Sequence, residues 1–207
     1  RQAIETSMLE EAIAEADAEI GSGEGPAVIV TANERWLPGI ADGSITMAFA
    51  ITEPDAGSNA HRITTTARRD GSDWILSGQK VWISGLDQAE YVLVVSRTEE
   101  AKTGNLRPAL FIVPTDAPGF SFTKIPMELT MPESQFQVFI DEVRLPADAL
   151  VGAEDAAIAQ LFAGLNPERI MGAASAVGMG RLALSKATDY VKTRQVWKTP
   201  IGAHQGI

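Results

Sequence analysis

Short runs rich in Val, Ile, Phe, Trp and Thr fill the sequence between Ile45 and Val151, and this pattern constrains the fold most strongly. Gly, Pro and Asp separate the runs at intervals that suit an antiparallel sheet or barrel. Tight turns are predicted at Asp70-Gly71 and Ser77-Gly78. The predicted strands are Thr46–Thr52, Ile63–Arg69, Trp74–Ser84, Tyr91–Arg97, Ala109–Pro114, Phe120–Lys124 and Phe136–Leu145.

Helical spacing precedes this region. Leu9, Ile13 and Ile20 recur at near-helical intervals with acidic residues between them, which predicts an amphipathic helix from Ile4 to Ile20. Gly21 to Pro26 then breaks that pattern. We expect the helical part to end near residue 44.

A helical pattern returns after Gly152. Asn166-Pro167 is typical of a helix start, with Asn as the N-cap and Pro in the first helical position. We predict that this helix runs to about Val196, and its Gly and Ala residues would let another backbone approach closely. The predicted fold class is α+β, with divisions at 1–44, 45–152 and 153–207.

Composition excludes several kinds of function. The net charge of -10 and the pI of about 4.7 argue against a broad basic surface for nucleic acid or an anionic membrane. The absence of Cys excludes disulfides and thiolate chemistry, and His61 and His204 are not at metal-binding spacing, so we assign no metal. No run approaches the roughly 20 apolar residues that span a bilayer, and no charged-then-apolar leader opens the sequence.

The segment Phe49–Ser58 is a candidate binding loop, because an apolar strand ends there in hydroxyls, carboxylates and a glycine. The commoner use of Thr52, Asp55 and Ser58 in such a segment is to satisfy exposed backbone groups in a turn. On these residues alone, that structural interpretation would be preferred.

Several motifs occurring in order from about Arg35 to Ile207 resemble those of the acyl-CoA dehydrogenase family. They are FAITEPDAGSNA, GQKVWISG, FIDEVRLPADALVG, LNPERI and YVKTRQVWKTPIGAHQGI. Five motifs in order are far more specific than one. The resemblance implies a helical N-terminal domain, a middle antiparallel β-barrel domain and a C-terminal helical bundle, with FAD bound between them and between subunits. The short N-terminal part and the stop within the bundle indicate a fragment or a chain from which loops are missing.

The resemblance assigns one set of FAD contacts to the middle domain. Phe49, Ile51, Thr52 and Gly57 would lie along the flavin, and Ser58 would contact both the cofactor and the pantetheine arm of the substrate. A second segment, Trp82-Ile83-Ser84, would cover one face of the ring and reach its polar end, with Ser84 in place of the more usual threonine. A strand Trp is otherwise most often a core or sheet-surface residue.

A second set of contacts is assigned near the end of the sequence. Arg194, Trp197, His204 and Gln205 match the segment that reaches the ADP half of FAD in a neighbouring subunit, which implies a homodimer or homotetramer. Arg194 could bind the pyrophosphate bidentately. As a cation in the last turns of a helix, it is also favoured by the helix dipole alone.

Glu168 is the candidate catalytic base, because the isovaleryl-type and long-chain-type branches of the family carry their glutamate at the matching position. Most other members take it from a region beyond Ile207, and that alternative stays open. A first-turn acid would also complement the helix dipole without any catalytic role. Asn166 and Arg169 match residues that line the acyl-CoA site, although Arg169 could instead make an internal pair.

The reaction implied by the resemblance is FAD-dependent α,β-dehydrogenation of an acyl-CoA thioester, with electrons passed to an electron-transfer flavoprotein. The implied location is the cytoplasm, or the mitochondrial matrix in a eukaryote. Alternatives are an acyl-CoA oxidase-type relative, a DNA-binding alkylation-response flavoprotein and a non-catalytic flavin-binding subunit. The net charge argues against DNA binding. The acyl chain length is not readable from these residues.

Overall fold

The computed structural model describes residues 35–99, 104–128, 132–152, 157–204 and 206. The predicted helix Ile4–Ile20 lies outside these residues. The chain divides into two compact units, with the boundary between Ile158 and Ala159.

The first unit contains a seven-stranded sheet, preceded by a short helix, α1 (Leu37–Asp42). Strands lie at the seven predicted places, with ends shifted by a few residues. The neighbour order is β1-β4-β2-β3-β7-β6, and β5 also pairs with β4. The strands are β1 (Met47–Ala50), β2 (Thr66–Asp70), β3 (Asp73–Ser84), β4 (Tyr91–Glu99), β5 (Leu106–Pro114), β6 (Phe120–Ile125) and β7 (Gln135–Leu145).

The sheet is mixed, and the predicted antiparallel arrangement was wrong for two of its strand pairs. Both β1 and β2 run parallel to β4, with Met47 opposite Tyr91 and Thr66 opposite Arg97. Parallel neighbours require a crossover connection. The β2–β3 hairpin connects β1 to β4, and β3 connects β2 to β4. The remaining strand pairs of the sheet are antiparallel.

Alternating side chains of these strands form one hydrophobic core. In β1, Ala48 and Ala50 are buried while Phe49 is half-buried, as expected for a strand with one face on the core. Trp74 and Phe111 meet edge to face with ring centroids 5.1 Å apart. Each fully buried large apolar side chain stabilises the fold by roughly 1.5–3 kcal/mol.

Gly78 lies inside β3, so the predicted turn at Ser77-Gly78 was wrong. The turn at Asp70-Gly71 is confirmed, since Gly71 has φ 66° and Asp70 pairs with Asp73 across it. Gly78 instead permits a close approach, because a Cβ there would lie 2.7 Å from Thr65 Cα. The glycine that resembles a turn signal is therefore required by the packing of Thr65 against β3.

The second unit consists of a long helix and a small hairpin. Helix α2 spans Ala157–Thr193, followed by β8 (Gln195–Val196), β9 (Thr199–Pro200) and a 3-10 turn at Ile201–Ala203. Within the described residues, no helix has the length and apolar content needed to cross a membrane.

The predicted helix start at Asn166-Pro167 was wrong, because Pro167 lies inside α2. Proline in a helix interior removes one backbone hydrogen bond and clashes with the carbonyl four residues earlier. The preceding residues from Ala157 to Leu165 include Ala, Leu and Gln, which favour helix strongly enough to extend it upstream. The helix also ends at Thr193 rather than near Val196, since Val196 enters the hairpin.

Large apolar side chains of α2 are exposed, from Ile170 (71%) to Leu184 (68%) and Tyr190 (58%). A helix with this much exposed apolar surface requires partner helices. The predicted bundle would provide them, and it stays a prediction.

Gly78→Ala should destabilise the protein by about 1–3 kcal/mol, because the added methyl group must displace the Thr65 backbone. Urea unfolding of the purified protein would measure the loss. Gly57→Ala is the matched control, since no atom of the described residues lies within 4 Å of a Cβ at Gly57. Equal stabilities for the two variants would contradict the proposed contact.

Candidate active site

The two middle-domain segments predicted to bind flavin lie beside one another. The Val81 backbone N–H donates to the Thr52 carbonyl (3.0 Å), and Lys80 Nζ donates to the Ile51 carbonyl (3.0 Å). These bonds join the loop after β1 to the end of β3. The first unit therefore brings the Thr52 segment and the Trp82 segment to one place.

The loop after β1 is held in a tight turn between Glu53 and Ala56. Their backbone groups exchange two hydrogen bonds, of 3.0 and 3.1 Å, and both side chains are buried. Asp55, Gly57 and Ser58 are exposed around this anchor. The buried residues of the loop fix its shape, and the exposed ones are available to a ligand.

The Glu53 carboxylate accepts five hydrogen bonds. Its Oε2 receives the Thr64 backbone N–H (2.6 Å) and hydroxyl (2.8 Å), and its Oε1 receives the Thr65 backbone N–H (2.9 Å) and hydroxyl (2.6 Å). The fifth donor is Lys80 Nζ, at 2.9 Å. Since Lys80 is fully buried and Glu53 is 4% exposed, this is a desolvated ion pair at the base of the loop.

Burial alone would raise the pKa of Glu53, but the hydrogen bonds from Thr65 and Thr64 and the charge of Lys80 outweigh it. Together they lower the pKa of Glu53 to about 2. The pKa of Lys80 is lowered because burial disfavours its charge, partly offset by Glu53. We expect Glu53 to be ionised at neutral pH.

Sequence analysis missed the role of this pair. Both residues lie inside motifs that carry the family resemblance, yet nothing in one sequence shows that a Glu in a loop and a Lys in a strand are buried together. The available signal for a buried charge is Lys80 itself, which stands directly before the apolar residues Val81, Trp82 and Ile83 of a predicted strand.

Trp82 lies at a β-bulge and points away from the core. The β3–β7 register shifts between Lys80 and Ile83, and Trp82 has φ 61°, which is rare for a bulky residue. Its indole is 55% exposed. The alternative of a core tryptophan is therefore excluded, and the strained backbone presents the ring on the surface.

Trp82's neighbours differ in what they offer a ligand. The Ile83 side chain is 1% exposed in the core, so only its backbone could reach a bound molecule. Ser84 is an exposed residue, and its hydroxyl accepts a hydrogen bond from Gln135 Nε2 at 2.7 Å. Phe49, Ile51 and Thr52 are half-buried.

In the second unit the hairpin groups Arg194, Trp197 and His204. The Ile201 N–H donates to the Arg194 carbonyl (2.8 Å), and the Trp197 ring meets the His204 ring edge-on with centroids 6.0 Å apart. Trp197 is 87% exposed, and His204 Nε2 is buried with no partner in the described part of the chain. Gln205 lies outside the described residues.

Trp197 and Lys198 occupy both central positions of a two-residue β-turn. Their φ values are 51° and 70°, and Val196 pairs with Thr199 across them. Such a turn normally takes Asn and Gly, because a left-handed residue with a side chain costs roughly 1–2 kcal/mol. The hairpin therefore carries strain where Trp197 is displayed.

Asn166, Glu168 and Arg169 are exposed on α2. Glu168 lies well beyond the first turn of a helix that begins at Ala157, so the explanation by the N-terminal helix dipole was wrong. Asn166 is correspondingly not an N-cap. The Arg169 guanidinium lies 5.4 Å from the centre of the Phe162 ring, a cation–π contact within the helix.

Each unit, taken by itself, displays side chains that a ligand could contact. In the first unit Trp82 and Ser84 are exposed, and in the second unit Arg194 is exposed. Within the described residues the Nε2 of His204 has no hydrogen-bond partner, and a ligand could supply one.

Glu53→Gln should lower the free energy of unfolding at pH 7 by about 3–5 kcal/mol, because it leaves the Lys80 charge buried without its partner. Folding lowers the Glu53 pKa from 4.5 to about 2, so the carboxylate's contribution is present above pH 4.5 and is lost as the pH falls towards 2. The difference between wild type and variant should therefore shrink over that range in urea titrations. Glu90→Gln, at an exposed carboxylate, is the control and should have a much smaller effect at pH 7. A pH-independent difference for Glu53→Gln would contradict this assignment.

Lys198→Gly should stabilise the hairpin by about 1 kcal/mol, since glycine adopts a left-handed φ without strain. Amide hydrogen exchange of Val196 and Ile201 would detect slower opening. Lys198→Ala removes the same charge but keeps the strain, so it should give no such gain. Equal protection in both variants would show that the turn is unstrained.

Sequence profiles of two domains match the chain. The acyl-CoA dehydrogenase middle domain matches residues 48–143, and the acyl-CoA dehydrogenase C-terminal domain matches residues 158–207. Acyl-CoA dehydrogenase FadE12 of Mycobacterium tuberculosis is 83% identical over 174 residues, which are 84% of this chain and 45% of that protein. The mitochondrial long-chain specific acyl-CoA dehydrogenase of Mus musculus is 34% identical, over 84% of this chain and 41% of that protein.

Solved structures of acyl-CoA dehydrogenases also resemble the chain. A glutaryl-CoA dehydrogenase from Mycobacterium smegmatis in complex with FADH2 matches with a TM-score of 0.68 and 36% identity, over 83% of this chain and 43% of that one. Butyryl-CoA dehydrogenase from Megasphaera elsdenii matches with a TM-score of 0.68 and 28% identity, over 83% and 45%. The chain thus spans less than half the length of these relatives. On the two domain matches and the structural likeness together, the chain belongs to the acyl-CoA dehydrogenase family and has its fold.

Proposed function

We propose that the protein is a FAD-dependent acyl-CoA dehydrogenase that converts an acyl-CoA thioester into the trans-2-enoyl-CoA. The observation that carries this proposal is the convergence of the Thr52 loop with the Trp82–Ser84 segment, fixed by the bond from Val81 to Thr52. The relative solved with FADH2 supports FAD as the cofactor, and a relative solved as a glutaryl-CoA complex supports a CoA thioester as the substrate class.

When bound, FAD would supply the acceptor for the hydride that leaves the β-carbon of the substrate. The chain's residues position it. Thr52 would hydrogen-bond its polar edge, Trp82 would cover one face, and Ser84 would donate its hydroxyl hydrogen. Ser58 is exposed beside the same loop and would bind the pantetheine arm. Phe49, Ile51, Gly57 and Ile83 would complete this side through backbone and apolar contacts.

Arg194 would bind the pyrophosphate of FAD held by a neighbouring subunit, with Trp197, His204 and Gln205 around the ADP half. A guanidinium matches two phosphate oxygens in a planar, bidentate arrangement. Since the site then takes residues from two subunits, we propose a homodimer or homotetramer. Electrons would pass from the reduced cofactor to an electron-transfer flavoprotein.

Glu168 would remove the α-proton of the thioester onto its carboxylate as the hydride leaves the β-carbon. Its exposure on α2 leaves the carboxylate accessible, and its position inside the helix removes the simplest structural explanation for an acid there. Asn166 and Arg169, on the same part of α2, would line the acyl-CoA site. A glutamate beyond Ile207 is the competing candidate for the base.

Glu168→Gln should leave a yellow, FAD-loaded protein whose flavin is reduced by acyl-CoA at least 100-fold more slowly, since a positioned base contributes about 10²–10⁴-fold. The measurement is anaerobic stopped-flow bleaching of the flavin absorbance. A panel of short, branched, long and aromatic acyl-CoAs would identify the preferred substrate.

The matched control is Glu128→Gln, which changes an exposed glutamate in the first unit. Acyl-CoA should reduce the flavin of this variant as fast as it reduces that of the wild type. Undiminished reduction by Glu168→Gln would assign the base to another residue. A wild-type flavin that no acyl-CoA reduces would instead contradict the proposed dehydrogenase activity and favour a non-catalytic flavin-binding subunit.

A further inference from the structure

Gln135 is a buried polar residue that contacts the candidate flavin site without belonging to it. It is the first residue of β7, pairs with Ser84 at the end of β3, and is 8% exposed. Its other neighbour is Ile125 of β6. Gln135 is thus fixed between two strands, with its Nε2 2.7 Å from Ser84 Oγ.

This contact sets the direction of the Ser84 hydroxyl bond. A serine hydroxyl has one hydrogen to donate and two lone pairs that accept. When Ser84 Oγ accepts from the Gln135 amide, its own hydrogen must be donated elsewhere. Ser84 is exposed, so that hydrogen is available to a bound molecule.

The arrangement differs from that of an isolated surface serine. A free hydroxyl can rotate and can either donate to or accept from a ligand. Here the backbone of Gln135 is paired on both sides and the residue is buried, so an amide left without a hydrogen-bond partner would be costly. The protein therefore favours one orientation before any ligand arrives.

We propose that Gln135 is a positioning residue that makes Ser84 a hydrogen-bond donor to the flavin. The inference rests on the proposed function, because Ser84 reaches the flavin only in that proposal. A donor at the polar end of the ring stabilises the more electron-rich reduced form over the oxidised form. Gln135 then tunes the reduction potential and the affinity of a cofactor that it does not touch.

The test compares Gln135→Met in the wild-type and Ser84→Ala backgrounds of the full protein. Methionine keeps the length of the side chain and removes both polar groups. Gln135→Met should weaken FAD binding about five- to tenfold, the loss of roughly one hydrogen bond, and should lower the flavin midpoint potential. Ser84→Ala should do the same, and the double variant should be no worse than Ser84→Ala alone.

Gln137→Met is the matched control, because Gln137 lies two residues further along β7 and is half-buried. It should leave the potential and FAD affinity unchanged. Gln135→Glu is a second variant that keeps a contact with Ser84 but reverses it, since a carboxylate only accepts. It should lower the potential more in the wild-type background than in the Ser84→Ala background.

Several outcomes would overturn the inference. One is a Gln135→Met variant that loses thermal stability while its flavin potential stays at the wild-type value. Another is an equal effect of Gln135→Met with and without Ser84. If Ser84→Ala itself leaves bound flavin unchanged, the Ser84–flavin contact fails and the inference falls with it. If Ser84→Ala lowers the flavin potential as expected but Gln135→Met leaves it unchanged, the role of Gln135 is overturned while the Ser84–flavin contact stands.

Discussion

The buried ion pair of Glu53 and Lys80 is the interaction on which the site depends. Two desolvated charges are costly, and their mutual attraction repays the cost only when the remaining hydrogen-bonding capacity is satisfied. Thr64 and Thr65 satisfy it on the carboxylate, and the Ile51 carbonyl takes a further ammonium hydrogen. Because neither charge can leave without stranding the other, the loop after β1 is fixed against β3.

The bulge at Trp82 depends on the same anchor. Lys80 and Trp82 are two residues apart, so in a regular strand both side chains would face the same side and the indole would be buried with Lys80. The register shift and the left-handed φ of Trp82 release the strand from that constraint. Gly78 contributes from the other side, since its missing side chain lets Thr65 lie close enough to bind Glu53. Packing, charge and backbone strain thus act on one short stretch of β3.

The sequence predicted the strands well because each is a run of β-branched and aromatic residues between turn formers, as in Tyr91 to Arg97. It could not predict the parallel pairing of β1 with β4, since pairing depends on which distant strands meet. Pro167 shows a local signal overridden by its surroundings, because good helix formers precede it. Gly78 likewise resembles a turn signal, but it lies inside β3 because Thr65 packs against it.

Residues of the candidate site could be predicted only where the recognised motifs assign them a role. Thr52 and Trp82 were singled out by resemblance, and the structure places their segments side by side. Glu53, Lys80 and Gln135 were missed because burial of a polar residue is a property of the fold. The strained turn at Trp197 and Lys198 was also missed, since Lys198 is an unusual residue for that conformation.

The parallel register of β1 has a consequence for the order of folding. The contact of Thr46 with Glu90 joins residues 44 apart in the chain, whereas β2 and β3 meet across a two-residue turn. Closing a long loop costs entropy before its contacts compensate. We therefore expect the hairpins to form early and β1 to join late, so the ligand loop that follows β1 is completed last during folding.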